Sequence, residues 1–239
     1  MAQYIYGKNA IMSRIQKGGD IEEIYLVDGF RDHKIINSIK NYKVSYVSES
    51  KINRMVKGNH QGIVAKIETY EFTPLDKLKK ILKDKENPLL LVLDGIEDPH
   101  NLGAILRTCD AIGVDAVIQK KHGACPLTST VSKVSTGALE FVPVVEVTNL
   151  TKFLQDMKKE GYWVFGAEAF NSVDYRGQDY NGKTILVVGS EGKGISRLVI
   201  EECDIKIKLP MIGHVNSLNV SVATALLLYE IYNVRNPLK

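Results

Sequence analysis

From residue 88 onward, short runs of β-branched and aliphatic residues alternate with longer amphipathic stretches, and few folds accommodate that rhythm. The runs fall at 89–95, 115–119, 142–147, 162–167, 184–190 and 205–209. They lack the strict in–out alternation of a strand with one wet face, so both faces are covered, as in a parallel sheet. Helical spacing occupies 100–112, 128–137, 149–160, 195–201 and 217–233. Strand and helix taken in turn predict an open, doubly wound α/β sheet.

The first third of the chain has a different texture. Residues 1–72 read as a small α/β domain. Tyr6-Gly7-Lys8-Asn9 leads into a helix carrying Ala10, Ile11 and Ile15. A strand at 22–27, a helix with Ile35, Ile36 and Ile39, and strands at 43–48 and 61–68 follow, with a basic stretch from Lys51 to Lys57. Residues 73–87 form the boundary: Thr73-Pro74 opens a short helix with Leu75, Leu78, Ile81 and Leu82 on one face. Asn87-Pro88 ends it, since a residue before proline is pushed out of the helical region. This helix is a linker or the first element of the second domain, 88–239.

Charge separates the same regions. Residues 1–72 carry 11 Lys and Arg against 8 Asp and Glu, whereas 88–239 carry 15 against 17. Nucleic-acid affinity rests largely on neutralising phosphates, so the basic N-terminal part is the expected docking surface. Cys109, Cys125 and Cys203 are scattered and form no CxxC pair, and the histidines show no metal-ligand spacing. Neither a disulfide framework nor a metal site is expected. The N-terminus lacks a secretory apolar core, and no run approaches a membrane span, so a cytoplasmic protein is expected.

Three segments carry chemistry. In 94–113, DGIEDPHNLGAILRTCDAIG, Asp98-Pro99 opens a helix whose buried stripe is Leu102, Ile105, Leu106, Cys109 and Ile112. Asn101 and Arg107 lie six positions apart on it, a spacing read as returning them towards a shared side at about 100° per residue. A guanidinium there can grip a phosphate; taken alone, the pair reads as a capping asparagine and a surface arginine. In 187–196, VVGSEGKGIS, Gly189, Gly192 and Gly194 let a backbone turn and approach a ligand. The spacing is neither that of a dinucleotide fold nor that of a P-loop, and alone it is a strand-to-helix loop. In 209–230, LPMIGHVNSLNVSVATALLLYE, a helix is expected to open on Ser217-Leu218-Asn219-Val220-Ser221, with Ser217 as its N-cap.

Together and in this order, the segments resemble the signature of the SpoU/TrmH family of RNA ribose 2′-O-methyltransferases, within the SPOUT superfamily. The matching residues are Asn101 and Arg107, then Gly189, Glu191 and Gly192, then Pro210, Met211, Gly213, Ser217, Leu218, Asn219 and Ser221. The resemblance implies a trefoil knot in the C-terminal sheet, S-adenosylmethionine as cofactor and a homodimer. The last helix, through Leu218, Val222, Leu226 and Tyr229, offers a dimer face. By the same resemblance Asn101, Arg107, Glu191, Ser217 and Asn219 are the expected catalytic residues. Gly189, Leu209 and Leu218 are the expected cofactor contacts. The N-terminal domain is expected to be ribosomal-protein-like and to hold RNA near Tyr6, Lys8, Arg54, Lys57, His60 and Gln61. A guanidinium stays protonated, with a pKa above about 12, so Arg107 is expected to orient and polarise the ribose hydroxyl beside an RNA phosphate. The implied substrate is a guanosine in large-subunit ribosomal RNA. A transfer-RNA target is the alternative, and a non-catalytic RNA-binding assembly factor is a further one.

Overall fold

The computed structural model describes residues 2–215 and 217–238. The N-terminal domain contains β1 (Ala2–Tyr6), α1 (Lys8–Lys17), β2 (Glu23–Val27), α2 (His33–Ser38), β3 (Val44–Val47), α3 (Glu49–Met55) and β4 (Ile63–Glu68). Its sheet has the order β1-β4-β2-β3, with β4 antiparallel to both neighbours and β2 parallel to β3. Strand β1 has no counterpart among the expected elements. Five residues at a chain end carry little pattern, and β1 exists because β4 supplies a full ladder from Ala2↔Glu68 to Tyr6↔Val64. The basic stretch 51–57 falls largely within α3, pinned by the fully buried Ile52.

The larger unit contains α4 (Leu75–Leu82), β5 (Leu89–Asp94), α5 (Pro99–Ile112), β6 (Ala116–Lys120), α6 (Ser129–Val134), β7 (Val144–Val147), α7 (Leu150–Lys159) and β8 (Trp163–Ala167). It continues with β9 (Val173–Asp174), β10 (Thr184–Gly189), α8 (Arg197–Ile200), β11 (Ile205–Lys208) and α9 (Val220–Arg235). The seven strands run parallel in the order β7-β6-β5-β10-β8-β11-β9. All six residues of β5 are buried. Leu89, Leu91 and Leu93 face α5 and α9, whereas Leu90 and Val92 face α7 and α8. Helix α4 packs on that second face through Leu78, so by its contacts it is part of the larger sheet's cover rather than a free linker.

Three expected helices are shorter than their pattern, the 195–201 stretch keeping only α8. The 128–137 stretch stops at Val134 because Thr136 and Gly137 adopt positive φ, and a 3-10 turn, Ala138–Glu140, follows. The last helix begins at Val220, and Asn219, not Ser217, is its N-cap. Asn219 Oδ1 accepts from the backbone N–H groups of Ser221 and Val222 at 3.0 and 3.4 Å. Apolar residues at 215 and 218 extend the helical pattern towards 217, but the carboxamide at 219 satisfies the first-turn donors and sets the boundary.

The two units meet along α1, α6 and the 3-10 turn. Arg14 donates to Glu140 at 3.2 Å with both side chains nearly buried. The Tyr70 hydroxyl donates to the other Glu140 oxygen at 2.6 Å, with the Ser132 hydroxyl 2.9 Å away. Burial and the neighbouring Glu140 carboxylate push the Tyr70 phenol well above its ordinary range, so it stays a donor. A Cβ at Gly137 would collide with the Ser13 side chain, so the units approach to backbone contact there.

Candidate active site

In a parallel sheet, ligands collect outside the carboxyl ends of the strands, near the point where strand order reverses. Three loops converge on that edge: 95–98 after β5, 190–196 after β10, and 209–219 after β11. The link between them is a single carboxamide. Asn219 Nδ2 donates to Asn101 Oδ1 at 2.9 Å and to Glu191 Oε1 at 2.6 Å, while its Oδ1 caps α9. Glu191 Oε1 also accepts from the backbone N–H of Val220 at 3.2 Å. Residues 118 and 28 positions apart in the chain are thus held at one point. An anionic carboxylate at the first turn of α9 is further favoured by the partial positive charge of a helix N-terminus.

The Glu191 loop is itself anchored from below. Asp94, at the end of β5, is nearly fully buried. It accepts from the Ser196 backbone N–H at 2.8 Å and pairs with Lys120 Nζ at 2.7 Å. Burial alone would raise its pKa, but hydrogen bonds from Lys120 and Ser196 outweigh that and hold it below the ordinary carboxylate range. Gly189 is required for a related reason: a Cβ there would collide with the backbone of Gly194 and Ile195. Asp94 was not singled out in the sequence. The available signal was a carboxylate ending an otherwise wholly aliphatic strand, LLLVLD.

Arg107 lies apart from this cluster. It is exposed on α5, and its side chain makes no hydrogen bond or ion pair among the described residues. Six residues turn a helix by about 600°, which leaves Asn101 and Arg107 about 120° apart around the axis and about 9 Å apart along it. The shared side read from their spacing is therefore corrected: Asn101 faces Asn219, and Arg107 faces solvent. Ser217 is also exposed and sits in the loop before α9.

A cavity of about 630 Å3 opens beside the cluster, lined by Leu209, Met211, Ser217, Leu218, Ala223 and Leu227 among others. Leu209 and Leu218 therefore share one cavity, and Ser217 joins them; Gly189 is not in its wall. A second cavity of about 240 Å3 is lined by Asp98, Asn101, Ser190, Glu191 and Val220. A larger cleft, about 980 Å3, lies between α4 and α7 and contains none of the motif residues, so size does not mark the site here. Among the described residues no cluster of His, Cys, Asp or Glu is arranged to hold a metal ion. No helix among them is long and apolar enough to cross a membrane.

The residues expected near RNA differ in availability. Arg54 and Lys57 are exposed. Tyr6 is buried, its hydroxyl donating to the Lys57 carbonyl at 3.1 Å. Lys8 is paired with Asp32 at 2.8 Å. His60 Nε2 lies 3.1 Å from Asn53 Oδ1, and Gln61 Oε1 accepts from the Lys8 backbone N–H at 2.9 Å.

Comparison with known proteins agrees with this architecture. Residues 88–229 match the SpoU rRNA methylase family, and residues 4–73 match the RNA 2′-O ribose methyltransferase substrate-binding family. A TrmH-family tRNA/rRNA methyltransferase of Staphylococcus haemolyticus is 47% identical over 238 residues, covering 97% of this chain and 96% of the relative. The Bacillus subtilis relative of the same description is 45% identical over 240 residues, covering 98% and 96%. Among solved structures, an RNA 2′-O ribose methyltransferase aligns with a TM-score of 0.82 at 26% identity, covering 98% of this chain and 89% of that one. The cofactor complex of the SpoU methyltransferase AviRb from Streptomyces viridochromogenes shares the fold, with a TM-score of 0.83 at 22% identity over 99% and 91% of the two chains. With both family matches in order along the chain and near-full-length relatives at almost half identity, this protein belongs to the SpoU/TrmH family of RNA methyltransferases.

Proposed function

We propose that the protein methylates a ribose 2′-oxygen, that of a guanosine in large-subunit ribosomal RNA, with S-adenosylmethionine as donor, and that it acts as a homodimer. The observation that carries the reading is the Asn101–Asn219–Glu191 cluster at the sheet's carboxyl edge, beside a cavity of cofactor size. A volume of about 630 Å3 with mainly apolar walls lies within the usual range for cofactor sites, about 300–1,000 Å3. Leu209, Leu218 and the intervening loop fit a nucleoside held by apolar contact and backbone groups. When bound, the cofactor supplies an electrophilic methyl group on a sulfonium centre.

The chain's own residues then have separate tasks. Asn219 fixes Asn101 and Glu191 relative to α9, so three loops present one rigid wall to the incoming ribose. Ser217, on the cavity wall, orders the loop and meets the ribose. Among the described residues the Arg107 side chain has no hydrogen-bond or ion-pair partner to give up, so its guanidinium is available to an RNA phosphate and to the 2′-hydroxyl. Positioning of this kind supplies a large part of such a barrier reduction. Val222, Leu226 and Tyr229 are exposed along α9 and form the proposed dimer face, and Ile212 and Val215 are exposed on the site's own loop. Arg54, Lys57, His60 and Gln61 give the N-terminal domain its RNA contacts.

The test is methyl transfer from radiolabelled S-adenosylmethionine to ribosomal and transfer RNA from a strain lacking the gene, followed by nucleoside analysis. The expected product is 2′-O-methylguanosine in large-subunit RNA. Label in transfer RNA alone would keep the chemistry and overturn the substrate, an alternative supported by the tRNA/rRNA descriptions of the relatives. Transfer to neither, without cofactor binding, would overturn the reading.

A further inference from the structure

Lys133 belongs to α6 of the catalytic unit, yet its side chain reaches into the N-terminal domain. Its ammonium donates to Gln61 Oε1 at 3.3 Å and lies 5.7 Å from the centre of the Tyr6 ring. A Cβ on Gly7 would collide with it, so the glycine before α1 leaves the room that Lys133 occupies. Among the described residues no carboxylate pairs with it, and burial alone holds its pKa below that of an ordinary lysine. Its surroundings are Tyr6, Gly7 and Gln61, the turn where β1 and β4 meet the start of α1.

This arrangement adds a cation from the larger unit to the basic surface expected of the N-terminal domain. Lys8, on the same turn, is neutralised by Asp32 and lies over Phe30. Among the described residues at this turn, the cation without a carboxylate partner is Lys133, from the opposite domain. A half-buried ammonium with one neutral acceptor is under-satisfied, since it has three donors. The Gln61 acceptor and the Tyr6 ring are what hold the ammonium at this turn.

We propose that Lys133 and Gln61, on the floor of the Tyr6 ring, bind a backbone phosphate of the RNA substrate across the domain seam. The phosphate supplies the missing anion, and the Gln61 amide N–H supplies a second donor. Helix α6 packs directly against α5, where a Cβ on Gly103 would press on Val134 and Ser135. Arg107 is one turn beyond Gly103. The helix that bears Lys133 is thus the direct neighbour of the helix that bears Arg107. The seam site registers the RNA against the catalytic unit itself, not only against the N-terminal domain. The inference rests on the RNA-methyltransferase reading above.

The experiment compares full-length wild type, Lys133→Gln and Lys133→Arg for binding to unmodified transcripts of large-subunit ribosomal RNA and transfer RNA across a salt series, with thermal melting of each. Loss of one phosphate contact should reduce the slope of log affinity against log salt by about 0.7–1 and weaken binding about tenfold. Lys133→Arg should keep the slope. The melting temperature of Lys133→Gln should not fall, because a desolvated, unpaired charge is removed. An unchanged slope, or a fall in melting temperature that accompanies the loss of binding, would overturn the site. Wild type with no salt-dependent binding to either RNA would overturn the site and the functional reading together.

Discussion

At the scale of single residues, the site divides into groups committed to one another and one group that is not. The Arg107 side chain is exposed and has no hydrogen bond or ion pair among the described residues, so Arg107→Ala should change unfolding free energy by no more than about 0.5 kcal/mol. Methyl transfer should nevertheless fall to background while cofactor affinity, read by calorimetry, stays near wild type; lost cofactor affinity would place the arginine in the wrong role. Asp94 is the opposite case. Its folded pKa is depressed, so the stability it contributes is complete above the unfolded carboxylate value of about 3.9 and is lost as pH falls through the lower folded value. Asp94→Asn should cost about 2 kcal/mol at pH 7, less than a fully buried pair because Lys120 is partly solvated. Denaturant titrations should also show the variant losing less further stability than wild type below pH 4. Asn101, Glu191 and Asn219 were legible only through the family resemblance of their three segments, since a polar residue at a loop or helix start is by itself an ordinary cap. Asp94 and Lys133 were not: their importance comes from partners 102 and 72 positions away, and no local pattern encodes those.

At the scale of elements, the start of α9 carries the site. One side chain caps the helix and clamps two loops, and a designed substitution can separate the tasks. Aspartate caps as well as asparagine, so Asn219→Asp should keep the helix start. It cannot donate to Asn101 or Glu191, and it sets a carboxylate against the Glu191 carboxylate. Methyl transfer should drop about 100-fold, the scale of an ångström-level misplacement, with helical circular dichroism unchanged; a drop in helicity would show that the cap was lost as well. Most elements were legible because an aliphatic run flanked by turns admits few readings. The exceptions share a cause. Strand β1 and the two-residue β9 depend on a neighbour's ladder, and α3 shows only one buried side chain, Ile52, under a charged exterior. The early start read for α9 failed because apolar residues lining a cavity look the same in sequence as apolar residues lining a helix face.

At the scale of the whole molecule, two sheets are welded by a small buried polar network. Glu140 accepts from both Arg14 and Tyr70, so Glu140→Ala leaves the Arg14 cation without its anion and the Tyr70 phenol with only the Ser132 hydroxyl in a closed seam, and should cost about 3 kcal/mol. Calorimetry should show one thermal transition in wild type and two in the variant; a single unchanged transition would mean that the seam contributes no coupling. The strand order has a further consequence, for how the chain comes together in time. The middle of the larger sheet, between β5 and β8, is filled by β10, whose residues are made after both of its neighbours. During synthesis β5, β6 and β7 can associate early, but their exposed edge waits for a strand nearly 100 residues downstream. Non-local parallel pairing of this kind is slow, and an unpaired aliphatic edge is prone to aggregate. A nascent chain stalled before residue 184 therefore presents a sticky half-sheet, and the loop that carries Glu191 is assembled only as that gap closes.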